Sequence, residues 1–381
     1  MNRKNKSILV LGTGNAQIDL IEHCKDKGFH VHACSNRNSD TGRFLVDEFT
    51  MTDIKDTDSL TDYCRKKSIG CVYSTGSDIA VPAAAKISDR LGLPSFLSKE
   101  TAFSMRDKAE VRKSLGDSEF NLPFREISRK SELQNWDCFP AIIKPVDSQG
   151  QRGVIKVDSV EEATSVFSSV QKFSMSGRVI IEKFMDGDEI SINAYICNSN
   201  AVFSVISDRE IFSEFPGGIP RRHQVPSQYD SSFMRKKASE LVNIICRKFS
   251  LYNGPLYIQA KIDGNHIKLI ECTPRLDGCH LWRLIEHAYG VNLLDISIQH
   301  LIYGEKPSSD RFLHKKSVPC FLEFICQKPG TKVEKNISGA KDCVFLRWYF
   351  KSGEKVRSLN GYMEKVAYFI KEGDLYETER F

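Results

Sequence analysis

Along the first quarter of the chain, short apolar runs alternate with mixed polar stretches. Ser7-Ile8-Leu9-Val10-Leu11 reads as a buried strand, Gly12 to about Lys27 as a turn and helix, and Phe29 to Cys34, after Gly28, as a second strand. These form a compact βαβ unit. Further α/β units follow through Ile69 to Ser74 and a helix from about Ile79 to Leu91, which Gly92-Leu93-Pro94 ends. From Lys99 one helix is expected to run past Arg112, with Lys108 and Arg112 four apart and so on one face. Beyond it the pattern turns β-rich. Phe139-Pro140-Ala141 leads into the run Ile142-Ile143-Lys144-Pro145, a loop with Gly150 and Gly153, and a second apolar run from Val154. A helix from Val160 to Phe173 starts at Asp158 or Ser159, with Glu161 and Glu162 in its first turn as helix-start electrostatics favour.

Two β-rich runs between Val179 and Tyr195 flank a short acidic connection, Phe184-Met185-Asp186-Gly187-Asp188. A strand near Ala201 to Ser207 precedes a segment from Phe215 to Pro226 that glycine and proline punctuate into a long loop. A helix from Ser231 to Phe249 leads to two strands joined by the turn Asp263-Gly264-Asn265. After His314 the pattern is strand-rich again, with Ser317–Cys326, Cys343–Phe350 and Val366–Ile370, and turns at Lys351-Ser352-Gly353 and Asn360-Gly361. The expected class is a multidomain mixture of α/β and α+β. The βαβ start resembles a dinucleotide fold, but Gln17 stands where the third glycine would be, and Cys34 and Ser35 where a ribose-binding carboxylate would be. It is read as a Rossmann-like scaffold without NAD.

Composition narrows the classes. At 381 residues the chain has room for two or three cores, and 41% hydrophobic with 27% charged residues is globular usage. No apolar run nears the roughly 20 residues of a membrane helix, and Met1 to Lys6 leads into a strand rather than a signal peptide. A cytoplasmic enzyme without membrane or nucleic-acid partners is the expectation, since the net charge of +5 is small and no basic block alternates with aromatics. Twelve cysteines without a C-x-x-C pair form neither a zinc pattern nor a disulfide framework; Cys71, Cys272 and Cys279 read as small buried hydrophobes.

Three stretches carry candidate chemistry. In the glycine loop after Lys144, backbone N–H groups, the Lys144 charge and the Ser148 hydroxyl can cradle an anion, a nucleotide triphosphate being the ligand suggested; the bland alternative is a hairpin with a solvated tip. Around the acidic connection, Phe184 and Met185 offer a surface for a purine, with Glu182 and Glu189 as brackets. In the Asp263–Asn265 hairpin, Gln259 and Glu271 fall nearly opposite one another, Thr273 shares the Glu271 face, and Arg275 follows; such oxygens suit magnesium completed by phosphates. Arg221, Arg222 and His223 are weaker candidates for holding a carboxylate or phosphate of a second substrate.

The order Lys108, Lys144 with its glycine loop, Glu182 to Glu189, then Gln259, Glu271 and Arg275 resembles the ATP-grasp superfamily over about residues 7 to 305, and Ile270-Glu271-Cys272-Thr273-Pro274-Arg275 with Gly278 is its most specific part. The resemblance implies a Rossmann-like domain over 1–98, an ATP-grasp domain over 99–310 with its lid at about 125–186, and a small β-rich domain over 311–381 that packs on the ATP domain or makes a homodimer contact. It further implies Lys108 and Lys144 on nucleotide phosphates, the glycine loop with Ser148, Gly150 and Gly153 over them, Glu182, Lys183, Phe184 and Met185 at the adenine, Glu189 at the ribose, Gln259, Glu271 and Thr273 at magnesium or manganese, and Arg275 on the transferred phosphoryl. Two departures stand out. Thr273 replaces a common asparagine with a shorter, weaker ligand, and Gln259 replaces a common glutamate and so lowers the negative charge at the metal. The implied activity is an ATP-dependent carboxylate–amine ligase acting through an acyl phosphate on small-molecule carboxylate and amine substrates. The alternatives are a phosphotransferase, a bicarbonate-dependent carboxylating enzyme, or a nucleotide-binding module without turnover.

Overall fold

The computed structural model describes residues 6–148, 150–213, 218–335, 338–358 and 363–373. Four parallel strands open it: β1 (Ser7–Leu11), β2 (His30–Cys34), β3 (Glu48–Thr50) and β4 (Cys71–Tyr73), in the order β3-β2-β1-β4. Helices α1 (Asn15–Asp26), α2 (Thr57–Lys66) and α3 (Ala80–Leu91) connect or follow them. Strand β1 is buried along its whole length, as a parallel strand covered on both faces requires. Gln17 explains why this scaffold departs from the dinucleotide pattern. Its amide oxygen accepts from Gly14 N (3.0 Å) and its nitrogen donates to Thr75 O (2.5 Å), so its side chain fills the glycine turn.

The single helix expected from Lys99 past Arg112 is two helices, α4 (Lys99–Ser104) and α5 (Lys108–Leu115). Asp107 makes the break, because its carboxylate accepts from the backbone of Ala109 (2.9 Å) and Glu110 (3.2 Å) and so starts a new helix. An antiparallel sheet then forms from β5 (Phe124–Ile127), β6 (Ala141–Pro145), β7 (Ile155–Val157) and β8 (Val179–Lys183), in the order β5-β8-β6-β7, with α6 (Val160–Gln171) packed on it. Trp136, Ile143, Phe167, Val179 and Ile181 fill the space between them. This is the segment expected to form a lid.

The largest sheet has eight described strands: β9 (Glu189–Cys197), β10 (Asn200–Ile211), β11 (Pro220–Val225), β12 (Asn253–Asp263), β13 (His266–Thr273), β14 (Cys320–Gln327), β15 (Phe345–Trp348) and β16 (Glu364–Glu372). Their order is β13-β12-β9-β10-β11-β14-β16-β15. Helix α7 (Ser232–Phe249) covers one face through Leu241, Val242 and Ile245 against Ile190, Ile192 and Ile258. Helices α8 (Leu281–Tyr289) and α9 (Leu293–Tyr303) belong to the other core, which also takes in the first sheet.

Two expectations need correction here. Residues 220–225 form a strand between β10 and β14 rather than a loop, since a proline at a strand start costs no needed donor and His223 and Val225 are buried. Phe215, Pro216 and Gly217 lie outside the described residues, as does the Asn360-Gly361 turn. The strands after residue 311 do not make a sheet of their own: β14 pairs with β11, so they continue the large sheet. Asp19 of α1 ties the first domain to this sheet by pairing with His280 (2.7 Å), Arg283 (3.2 Å) and Arg347 (3.0 Å). Gly76 and Gly278 bring two loops into backbone contact, and a Cβ on Gly76 would stand 2.7 Å from the Gly278 Cα. The twelve cysteines are free thiols.

Candidate active site

Lys144 is the penultimate residue of β6 with its side chain buried, and its ammonium lies 2.7 Å from Glu182, the penultimate residue of β8. Arg112, on α5, meets the other Glu182 oxygen through Nε at 2.9 Å. Burial alone would raise the Glu182 carboxyl, but Arg112 and Lys144 outweigh it and hold it at about 2. Burial also pulls the Lys144 ammonium below its ordinary range, with Glu182 opposing that shift. The triad joins the lid sheet to α5.

The second site lysine, Lys108, opens α5. Its ammonium donates to the Ser148 carbonyl (2.8 Å) and lies 3.5 Å from Glu271 on β13. The glycine loop is anchored at its start, where the Asp147 carboxylate accepts from Ser174 Oγ (2.8 Å), Met175 N (3.1 Å) and Ser176 N (2.9 Å). Gly153 has φ +75° and sits against Pro145 and Phe173, so a side chain there would be strained and crowded. Gly150, also at positive φ, has open space around it.

Gln259 and Glu271 are register partners across β12 and β13, as expected. Gln259 donates its amide nitrogen to Glu189 (2.9 Å), which also accepts from Arg209. Glu271 is 38% exposed and lines a cleft of about 520 Å³ together with Asp78, Lys108, Arg112, Ser148 and Thr273. Thr273 and Arg275 turn away from Glu271 toward one acceptor: Asp78 Oδ1 accepts from Thr273 Oγ1 (3.0 Å) and Arg275 Nε (2.6 Å). Burial would raise the Asp78 carboxyl, yet Arg275 beside it brings it below its usual value.

At the connection between β8 and β9, Lys183 is exposed while Phe184 and Met185 are half-buried. The Phe184 ring carries the ammonium groups of Lys156 (4.3 Å to the centroid) and Lys261 (5.6 Å). Arg221, Arg222 and His223 do not join the cleft. Arg222 pairs with Glu323 (2.6 Å), Arg221 lies 3.7 Å from the same carboxylate, and His223 is buried. Burial and the nearby Arg209 guanidinium hold the His223 ring far below its ordinary titration range, so it is neutral.

Sequence reasoning did not select Asp78, Arg112 or Arg209. Asp78 follows β4 in Gly76-Ser77-Asp78, at the carboxyl end of a parallel strand, where open α/β sheets gather ligand-binding groups. Arg112 shares a helix face with Lys108, a signal that was present but says little alone.

Residues 138–281 match the model of the ATP-grasp domain. The chain carries an ATP-grasp domain. Among curated relatives, a formate-dependent phosphoribosylglycinamide formyltransferase from Prochlorococcus marinus (strain NATL1A) is 25% identical over 198 residues, covering 49% of this chain and 50% of the relative. The first curated relatives are matched over only 33% to 50% of their own length. The solved L-amino acid ligase from Bacillus licheniformis has the same fold, with TM-score 0.80 and 18% identity over 100% of this chain and 96% of that one. The biotin carboxylase domain of the Hydrogenobacter thermophilus 2-oxoglutarate carboxylase, solved with MgADP, ADP and bicarbonate, does so too, with TM-score 0.79 and 15% identity over 98% of this chain and 87% of that one. At these identities the likeness is one of fold alone. No helix among the described residues is long and apolar enough to cross a membrane.

Proposed function

We propose that this ATP-grasp chain is an ATP-dependent ligase that joins a small carboxylate to an amine through an acyl phosphate. The observation that carries this reading is a cleft in which Lys108 lies 3.5 Å from the Glu271 carboxylate and Arg112 lines the wall, with Lys144 held on Glu182 and Arg275 held on Asp78 at its borders. A polyphosphate needs such charge. The resemblance in fold to an amino acid ligase and to a domain solved with MgADP supports the reading.

The metal-binding groups fit the ion that a nucleotide would bring. Glu271 is partly exposed, and Gln259 spends its amide nitrogen on Glu189, which leaves its carbonyl oxygen as the atom that can ligate. Two such oxygens suit magnesium, or manganese, completed by phosphate oxygens and water. Thr273, turned to Asp78, is the weakest of the three proposed ligands. When bound, the ion neutralises charge on the transferring phosphoryl group.

The chain's own residues do the rest. Lys108 and Lys144 hold phosphates beneath the loop of Ser148, Gly150 and Gly153, and Arg275 takes up charge on the transferred group. Lys183, Phe184 and Met185 border the adenine, with Glu182 buried behind them as the anchor of Lys144, and Glu189 borders the ribose. The carboxylate oxygen attacks the terminal phosphorus and the bond to ADP breaks. The amine nitrogen then attacks the acyl carbon, phosphate leaves, and the nitrogen loses a proton.

The test is ADP release across a matrix of amino acids, small carboxylates and amines, with mass spectrometry of the products. The expected result is turnover that needs both partners, an amide product, and heavy oxygen from a labelled carboxylate appearing in the released phosphate. A stable phosphorylated product, a carbamate formed only with bicarbonate, or MgATP binding without ADP release would each replace the ligase reading with a different one.

A further inference from the structure

Beside the first cleft lies a second hollow, open to solvent and about 410 Å³ in all, between the first domain and the segment that follows the large sheet's β13. Val81 and Pro274 line both spaces. The second is walled by Val72, Ala84, Phe96, Leu97 and Leu301, and its charged group is Arg275. That guanidinium is held from the cleft side by Asp78. It therefore marks the boundary between a polar compartment and an apolar one.

The sequence of α3 makes the room. Ala83-Ala84-Ala85 keeps the helix at full intrinsic propensity while presenting only methyl groups, and Ala84 and Ala85 stand where larger side chains would close the space. A junction whose only task is to hold two domains is packed to interior density. This one instead leaves an opening lined mainly by apolar side chains beside Arg275.

We infer that this hollow receives the apolar side chain of the carboxylate substrate, and that Val81, Ala84 and Leu97 set its size preference. The inference rests on the ligase reading, since it is the carboxylate to be activated that must lie beside Arg275. From there its carbon chain passes over Val81 and Pro274 into the apolar space. A difference of one methylene in such a pocket is worth roughly 10- to 200-fold in discrimination.

The experiment compares the full chain with Ala84→Leu, which fills the cavity, and Leu97→Ala, which widens it from another wall and covers the case in which the first variant does not fold. Two readouts are taken with glycine, L-leucine, L-phenylalanine and 4-methylpentanoate: kcat/KM for ADP release, and calorimetric binding to protein loaded with MgADP. The last probe separates a requirement for the amino group from a requirement for the apolar chain. Ala84→Leu is expected to lower kcat/KM and affinity for leucine and phenylalanine about tenfold or more while glycine changes less than about threefold; Leu97→Ala is expected to shift preference toward phenylalanine. Amide formation with unchanged side-chain preference in both variants would overturn the pocket and leave the ligase standing. Apolar acids that bind the wild type and not Ala84→Leu, with no amide formed from any mixture, would retain the pocket and remove the ligase.

Discussion

Replacing Glu182 by Gln keeps the shape of the side chain and removes the one negative charge between Lys144 (2.7 Å) and Arg112 (2.9 Å). All three groups are buried, so solvent cannot take up the charge left behind. A carboxyl held at about 2 against 4.5 in the unfolded chain contributes about 3 kcal/mol to folding at neutral pH. Breaking buried pairs costs about 3–5 kcal/mol, which is the same size. The sign follows from the direction. Because the folded-state value is depressed, the contribution is complete above the unfolded value of 4.5 and fades as pH falls toward 2. Urea unfolding followed by Trp136, which packs beside Ile143 in the lid core, reads the effect in a background carrying Trp282→Phe and Trp348→Phe. The expected loss for Glu182→Gln is about 3 kcal/mol at pH 7, and the gap to wild type narrows as pH drops from 5 toward 3. A gap below about 0.5 kcal/mol at pH 7, or one independent of pH across that window, would show that the triad does not hold the lid to α5 as argued.

Three further outcomes are expected. Arg275→Ala and Lys144→Ala each slow ADP release on the order of 10²- to 10³-fold with the fold retained by circular dichroism, and near-normal release would remove their roles. Asp19→Asn leaves His280, Arg283 and Arg347 facing one another without their shared carboxylate, and thermal or urea unfolding at pH 7 should register a loss of about 3 kcal/mol or more. Gly76→Ala puts a methyl group 2.7 Å from both the Gly278 Cα and the Ala16 Cβ at a backbone φ of +63°, so it should destabilise by roughly 1–3 kcal/mol and loosen the first domain against residues 274–278, read as faster amide exchange there.

What the sequence made legible was whatever repeats along the chain. The period-2 and period-3.6 patterns placed β1, β6, β8, β12, β13 and the long α7, and the Asp263-Gly264-Asn265 turn set Gln259 opposite Glu271 in the register that the structure has. What stayed hidden depends on contacts between distant segments. Residues 220–225 carry two arginines and a histidine beside prolines, a polar string that reads as a loop; as a strand they are supported by β10 and β14 on either side, with Glu323 answering Arg222 and His223 kept neutral by burial. Asp107 reads in the sequence as one more polar position in a helix, whereas its carboxylate caps the next one. The candidate site divides the same way. Its cationic and acidic members were visible as residue types, but their pairing was not: Glu182 reads alone as an exposed bracket for a purine, whereas Lys144 and Arg112, 38 and 70 positions away by their own numbering, make it a buried anion. Asp78 is the clearest case, because Thr273, the start of the segment that selects it, is 195 positions away and reaches it only once β4 and β13 have been brought to the same cleft. A charged residue's role in such a site is therefore set by which opposite charge the topology delivers to it, and that information resides in the packing of Gly76 on Gly278 and of Asp19 on His280 rather than in any local spacing.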